Sequence, residues 1–396
     1  MFKQFSGIGR ALASCAVSAL CFGIIGLMPN WAIGQLTINI TFDYLDEPTD
    51  QSLKPAFEAA MRRGADRWCS FIDNDFVIEL QIQTTTVLGS EAIAGSFPAT
   101  SSVPYSLYRQ RLIEAKAGTP DSALVNALPV SIFDLNVELP SEATLNPNLG
   151  VHNVLRHMLG ITSSRPTVTF GFHPNRISDF NLMDGSGNEL IRFDLDRSDG
   201  IDDNSLDAET VIIHEIGHLL GFSSVVGGGT ASPLDLFTFT NGNTPNDLQE
   251  FRDKPRNLTR GTDRIYADLI IEIPVNNGVE SPMDNGRGFT LGHWKNDFGP
   301  ESPHGVMGPV LDPGQINFIS LNDLRAFSVI GWDIPEVVLG DVNMDGQFDF
   351  GDIPTFISVL SGNVIDDEVH IRADINRDGE FDFSDVPAFM VLLQQQ

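Results

Sequence analysis

Cysteine and positive charge are both scarce in this chain. Cys15, Cys21 and Cys69 are the only cysteines in 396 residues, too few for a disulfide scaffold. The first two fall in a stretch that reads as a secretory leader. Lys3 and Arg10 form its positive region, residues 11–27 its apolar region, and Ala32-Ile33-Gly34 a small-x-small cleavage site. An uncleaved anchor is the other reading of that stretch. With 1–34 removed, the mature protein is expected outside the cell, away from the membrane, with no internal disulfide. Its one thiol, Cys69 beside Trp68, reads as an inert core residue. Twenty-four Lys and Arg face 53 Asp and Glu, a net charge of −29, which argues against nucleic acid and anionic membranes as partners.

What is present is enough for a substantial core, with 42% hydrophobic residues and more length than one typical domain needs. Residues 36–44 alternate Leu36, Ile38, Ile40, Phe42 and Tyr44 against polar neighbours, as a half-buried strand does. Residues 52–72 read as a helix with Phe57, Met61 and Trp68 inward. Residues 76–83 alternate again. A helix is expected over 150–159, strands over 166–172 and 189–194, and a closing helix over 321–332 with Leu324, Phe327 and Ile330 inward. Residues 84–148 read as loop-rich, and the polar stretch from about 240 to 290 as a surface loop or a wrap around a cleft. The order predicts an α+β domain with a mixed sheet over 35–336, followed by a change of composition at 337.

The densest chemistry lies in 207–224, where His214-Glu215-Ile216-Gly217-His218 sits among Val211, Ile212, Ile213, Leu219 and Leu220. On a helix the two histidines are one turn apart and leave the same face. Glu215 is offset by about 100°, beside a metal held by that pair. H-E-x-x-H on a helix is a zinc-protease signal, with Glu215 the group that moves a proton. Asp207 and Glu209 suit the helix start, and Gly221 its end. A catalytic zinc normally takes three protein ligands. His152 and His157, five apart, read as surface or core histidines. Either the site is incomplete or the third ligand lies downstream, where two candidates stand: His293 in Gly292-His293-Trp294-Lys295, and His304 in Pro303-His304-Gly305-Val306-Met307-Gly308-Pro309. The acidic run Asp194, Asp196, Asp199, Asp202 and Asp203 reads either as a calcium site or as a solvated turn.

These motifs, HEIGHLLGFSS, a distant Gly-His-Trp-Lys and a Gly-Val-Met-Gly-Pro turn, resemble the leishmanolysin-like metzincins and related secreted bacterial metalloproteases. The resemblance covers roughly 200–334. It implies His214, His218 and His293 as zinc ligands, Glu215 as general base, and Met307 as the residue of a tight turn beneath the metal. The best-known long metzincin motif places its third histidine six residues after the second, and here that position is Ser224. The family's disulfide-rich character is missing too. No cysteine-switch propeptide is visible.

Residues 337–396 hold an internal repeat. Asp341, Asn343, Asp345, Gln347, Asp349 and Asp352 recur 33 residues later as Asp374, Asn376, Asp378, Glu380, Asp382 and Asp385, with Gly346 and Gly379 at the sharp turn. That is the oxygen spacing of a calcium loop, position 7 giving a backbone carbonyl and position 12 being Asp. Each loop leads into an apolar helix, over 353–360 and 386–393. From 338 on, 12 acidic residues face 2 basic ones, so folding should depend on the ion. The pair resembles a type I dockerin, a small all-α module of two loop-helix units, which implies a cohesin-type partner on a scaffold or cell surface. Phe350-Gly351 and Phe383-Ser384 stand where the best-known cellulosomal dockerins have Ser-Thr.

The expected protein is therefore a secreted zinc endopeptidase of zincin fold, with one zinc, two calcium ions, a peptide or protein substrate and a docking tail. Two alternatives stay open: an inactive zincin whose tail makes it a binding protein, and a metal-dependent amidohydrolase acting on something other than peptides.

Overall fold

The computed structural model describes residues 35–48, 50–85, 94–96, 99–164, 167–174, 192–225, 228–269, 272–275, 292–295, 305–309, 311–362, 366–378 and 381–395. The leader expected at 1–34, His304, Gly379 and Glu380 lie outside them. The described residues form a mixed helix-and-sheet, α+β fold with ten α-helices.

The chain opens with β1 (Leu36–Tyr44), α1 (Lys54–Phe71) and β2 (Phe76–Thr84). Then come β3 (Ala94–Ser96), β4 (Thr100–Pro104), α2 (Tyr105–Ala115), α3 (Ser122–Ala127), β5 (Val137–Glu138), β6 (Asn148–His152), α4 (Asn153–Met158) and β7 (Thr167–Phe172). The next segment carries β8 (Arg192–Asp194), β9 (Ser205–Asp207) and α5 (Ala208–Leu220). After it lie β10 (Thr238–Thr240), α6 (Leu248–Asp253), β11 (Arg256–Asn257), β12 (Arg264–Ala267), β13 (Glu272–Val275) and α7 (Leu321–Ile330). The tail adds α8 (Ile353–Leu360), α9 (Asp367–Ala373) and α10 (Asp385–Leu393).

The main sheet runs β1-β2-β7-β3. β1 pairs with β2 in parallel, Leu36 opposite Phe76, and β2 pairs with β7 in parallel, while β3 is antiparallel to β7. It is the mixed sheet the alternation predicts. A parallel neighbour demands a crossover, and α1 supplies it, burying Phe57, Met61 and Trp68 at helical spacing. α1 also packs on α5, with Trp68 reaching the Ile213 carbonyl and Gly64 lying against Ile212, so the histidine helix is backed by a second buried helix.

Three expectations need correction. The helix placed over 150–159 is a strand up to His152 and a helix only from Asn153, because 148–152 pair with β4 and put Leu149 and Val151 into the core. The stretch 84–148 carries α2 and α3, whose Tyr105, Tyr108, Leu112, Leu124 and Val125 are buried. The polar stretch after 240 carries β11, β12 and β13 of a second sheet, in the order β13-β12-β10-β11-β5. Its strands are two to four residues long, too short for a period to show. Arg256 is buried inside it between Phe239 and Phe251, its guanidinium carbon 4.7 and 4.3 Å from the ring centres.

The tail has its own apolar cluster around Val342, Phe356, Phe389 and Leu393. α9 is a helix the sequence reading does not anticipate. Its Val369 and Ala373 join that cluster, while Ile371 enters the main core. Among the described residues, no helix is long and apolar enough to cross a membrane.

Candidate metal centre

α5 begins where Asp207 accepts the backbone N–H groups of Glu209 and Thr210 at 3.1 and 3.0 Å. The buried Arg197 pairs with Asp207 at 2.6 Å. The helix ends at Gly221, in the left-handed conformation. Between these caps Ile212, Ile213, Ile216, Leu219 and Leu220 are buried, leaving His214, Glu215 and His218 half-buried on the open side.

His293 arrives from 75 residues downstream of His218 and completes a triangle of ring nitrogens. Nε2 of His214 and Nε2 of His218 are 3.1 Å apart, and Nε2 of His293 stands 3.2 and 3.1 Å from them. Nδ1 of His214 lies 2.8 Å from the Val306 carbonyl, and Nδ1 of His218 2.8 Å from the Phe222 carbonyl. Carbonyls only accept, so both Nδ1 atoms carry the hydrogen and both Nε2 atoms present a lone pair. Burial, reinforced by His214 and His293, pushes the His218 imidazole well below its ordinary pKa, which keeps it neutral and able to ligate. Lone pairs converging at this separation repel unless a cation lies among them. Three imidazole nitrogens at this spacing would suit a divalent ion such as zinc, which accepts an all-nitrogen set. Among the described residues it is the one set of three or more His, Cys, Asp or Glu groups with ligand atoms within 4.8 Å of one another.

Glu215 and His214 line a cleft of about 170 Å3, whose other walls include Leu206, Val211, Val306 and Leu311. The Glu215 carboxylate thus opens on the same space as His214, one corner of the nitrogen triangle. Beneath it, Met307 is fully buried, and a Cβ on Gly217 would stand 2.2 Å from its sulfur. The glycine between the histidines is there because the Met307 thioether fills the space. The Trp68 indole N–H donates to the Ile213 carbonyl at 2.8 Å from behind.

Ser224 is tied into a buried ion network instead. Its hydroxyl donates to Asp235 at 2.5 Å, Arg264 reaches that carboxylate at 2.7 Å, and the Ser232 hydroxyl donates to it at 2.8 Å. The network anchors the chain that leaves α5. His152 is buried against the Ser223 hydroxyl at 2.8 Å, and His157 is half-buried against Phe76. Cys69 is half-buried, its thiol pushed up to about 11 by burial. In the run from 194, the half-buried Asp194 carboxylate accepts the N–H groups of Asp196 and Asp202, and Arg192 pairs with Asp202, the arrangement of a closed polar turn.

One residue the sequence reading passes over is central. Asp323, fully buried in the first turn of α7, accepts from the Trp294 indole and from the backbone of Val306 and Met307. Its only local signal is the Ser320-x-x-Asp323 capping box, which announces a helix start and nothing about the histidines.

The two tail loops share a set of backbone hydrogen bonds. Asp352 accepts the N–H groups of Asn343 and Asp349, and Asp385 those of Asn376 and Asp382. Asp341 accepts the Asp345 N–H and Asp374 the Asp378 N–H, each at 3.1 Å. Gln347 donates its N–H to Asp345 at 3.0 Å. Met344 and Arg377, at the same loop position, both take positive φ, 58° and 63°. Positions 1 and 12 of each loop are buried, and Asp345, Gln347, Asp349, Asn376, Asp378 and Asp382 open to solvent.

No protein-family model, no curated protein and no solved structure matches the chain.

Proposed function

We propose that this chain is a zinc-dependent endopeptidase of zincin type, exported by its N-terminal leader and carried on a dockerin-like tail that binds calcium. The observation that carries the reading is the triangle of His214, His218 and His293 nitrogens, one corner of which, His214, lines a cleft together with Glu215. Bound there, zinc supplies a Lewis acid that brings the pKa of water toward 7 and polarises a carbonyl. Glu215 takes the proton of the attacking water and delivers it to the departing amine. The Val306 and Phe222 carbonyls hold two of the imidazoles in the ligating tautomer. Met307 fills the floor without touching the chemistry. The short strand pair β8–β9 borders the same cleft through Leu206, an apolar edge against which an extended peptide can lie.

For the tail, the reading is two calcium ions, one on Asp341, Asn343, Asp345, Gln347, Asp349 and Asp352 and one on Asp374, Asn376, Asp378, Glu380, Asp382 and Asp385. Phe350 and Phe383, at matched positions, are 69% and 76% exposed. An apolar pair so open to water suits a protein partner of cohesin type.

The experiment is peptide hydrolysis by the zinc-loaded full chain and by Glu215→Ala. A fall of roughly 10²–10⁴-fold with one zinc per chain retained is the expected result. A wild-type protein that holds zinc and cleaves no peptide library sinks the protease reading, and leaves the amidohydrolase or the binding protein.

A further inference from the structure

We propose that Asp323 is the positioning residue of the histidine centre, a single carboxylate that sets where both His214 and His293 stand. The inference rests on the reading of the three histidines as a metal site, and deepens it.

Five donors converge on this side chain. Oδ1 accepts the Trp294 indole N–H at 2.8 Å and the Met307 N–H at 3.2 Å. Oδ2 accepts the Val306 N–H at 2.9 Å, the Ser320 N–H at 2.8 Å and the Ser320 hydroxyl at 2.9 Å. A carboxylate offers about four lone-pair sites, so this one is fully engaged. A residue that only caps a helix needs the Ser320 bonds alone. The other three donors belong to the two segments, 292–295 and 305–309, that carry or orient the histidines.

From the carboxylate each path to a ring is short. The Val306 peptide gives its N–H to Asp323 and its carbonyl to Nδ1 of His214. Trp294 follows His293 directly, gives its indole N–H to Asp323, and gives its backbone N–H to the Met307 carbonyl at 3.1 Å. Shifting the carboxylate therefore shifts two of the three nitrogens. Gly305 shows how closely the turn is drawn onto it: φ is +137°, and a Cβ there would stand 2.2 Å from Asp323 Oδ2. Volume alone does not do this. In Asp323→Asn one oxygen becomes an NH2 group, which faces N–H donors with more donors.

The test uses the full chain with its transition metal stripped, excess calcium present, and Co2+ as the probe, read by visible absorption. Wild type is expected to take one Co2+ with the intense bands of a tetrahedral nitrogen site. Asp323→Asn should bind 10–100-fold more weakly, the usual range for a partner behind a ligand, and with displaced bands. Trp294→Phe removes one of the five donors and should move affinity and bands the same way by less. Ser328→Ala sits on the same helix and loses a hydrogen bond to Asp121. It should lower the melting temperature and leave Co2+ affinity and bands unchanged. Wild-type affinity and bands in Asp323→Asn, with only a lower melting temperature, would make Asp323 a helix cap and overturn the proposal. So would an equal loss of affinity in Ser328→Ala. If Asp323→Asn does not fold, unchanged Co2+ binding in Trp294→Phe overturns it alone. A wild type with no nitrogen-type bands sinks the metal reading itself, whereas normal bands with unmoved variants sink only the role of Asp323.

Discussion

The ring nitrogens of the histidine centre come from positions 214, 218 and 293, and the carboxylate behind them from 323. The oxygens of each tail loop come from twelve consecutive residues. The first arrangement is held by buried bonds between segments far apart in the chain, with Asp323, Trp294, Met307 and Trp68 fully buried. The second is held by a loop's own backbone, with Asp345, Asp349, Asp378 and Asp382 facing solvent. Long-range burial makes a site that stands before its ion arrives. A local loop of like charges needs the ion to close. The histidine centre should therefore survive metal removal as a shape, and the tail loops should not.

Calcium withdrawal is the strongest way to break that contrast. An ion present at 100 times its dissociation constant stabilises a site by about 2.7 kcal/mol, so two loops stand to lose about 5 kcal/mol. The expected outcome, in far-UV circular dichroism of the full chain with a calcium chelator, is loss of helix equivalent to α8–α10 while the tertiary signal of the buried tryptophans persists. Stripping zinc alone should leave both signals near native. A tail that stays helical without calcium would show that its loops, too, are preformed.

Next in size is His293→Ala. Structural zinc binds with an apparent 10–16 kcal/mol over four ligands, so one ligand carries roughly 3–4 kcal/mol, or about 10²–10³-fold in affinity. Zinc per chain after dialysis should fall toward zero in His293→Ala and stay at one in His304→Ala, with calcium binding untouched in both. Zinc kept in the first and lost in the second would move the third ligand to His304.

The same contrast explains what could be read from the chain alone. Strands β1 and β2 and the helices α1, α5 and α7 announce themselves because each buries one periodic face: Leu36 and Ile40; Ile78, Leu80 and Ile82; Phe57, Met61 and Trp68. The loops of the tail are legible because their ligands are contiguous. His214, Glu215 and His218 share one helical turn. His293 was readable only as one of two candidates, since no local period links it to α5. Asp323 was not readable at all as part of the site, because a capping box looks the same whatever lies beyond it. α9 gives no local signal because its seven residues are held by two separate packings: Val369 and Ala373 join the tail cluster, while Ile371 enters the main core and His370 stacks on Phe318 with ring centres 3.7 Å apart.

Acid sharpens the comparison from the side of the body. Burial pushes His152 down to about 4 from its usual 6.5. Between those values the unfolded chain takes up a proton that the folded chain refuses, so stability falls as pH drops from 6.5 to 4 and is flat above about 7. The loss is about 3 kcal/mol for a shift of this size. In the metal-free protein His218, shifted the same way by burial and its neighbours, steepens the slope. Chemical denaturation at pH 7 and pH 5 should show His152→Gln losing less stability than wild type over that interval. Equal losses would mean that water reaches His152 in the folded state.

The smallest effect concerns how far the two regions are separate. Across their contact, Arg67 on α1 stands 3.4 Å from Asp367 and 3.8 Å from Asp366 on the tail helix. Asp366 is half exposed and its pairing is screened, worth little. Asp367 is buried, its carboxyl raised above the ordinary range by that burial and drawn back down by the Ile319 N–H, Arg197 and Arg67. The Ile319 N–H donates to it at 2.9 Å, in the segment between Asn317, which lines the cleft, and Ser320, which caps α7. Removing Arg67 leaves that hydrogen bond in place, so Arg67→Ala should cost only about 1 kcal/mol. The calcium-loaded melting temperature should fall by roughly 2–4 °C. If the tail were merely tethered, the variant would leave that temperature unchanged and only the body would register the lost charge. A shift in the calcium-dependent transition means instead that α9 belongs energetically to the histidine domain, and that an ion bound in the exposed loops is felt at the segment flanking the cleft.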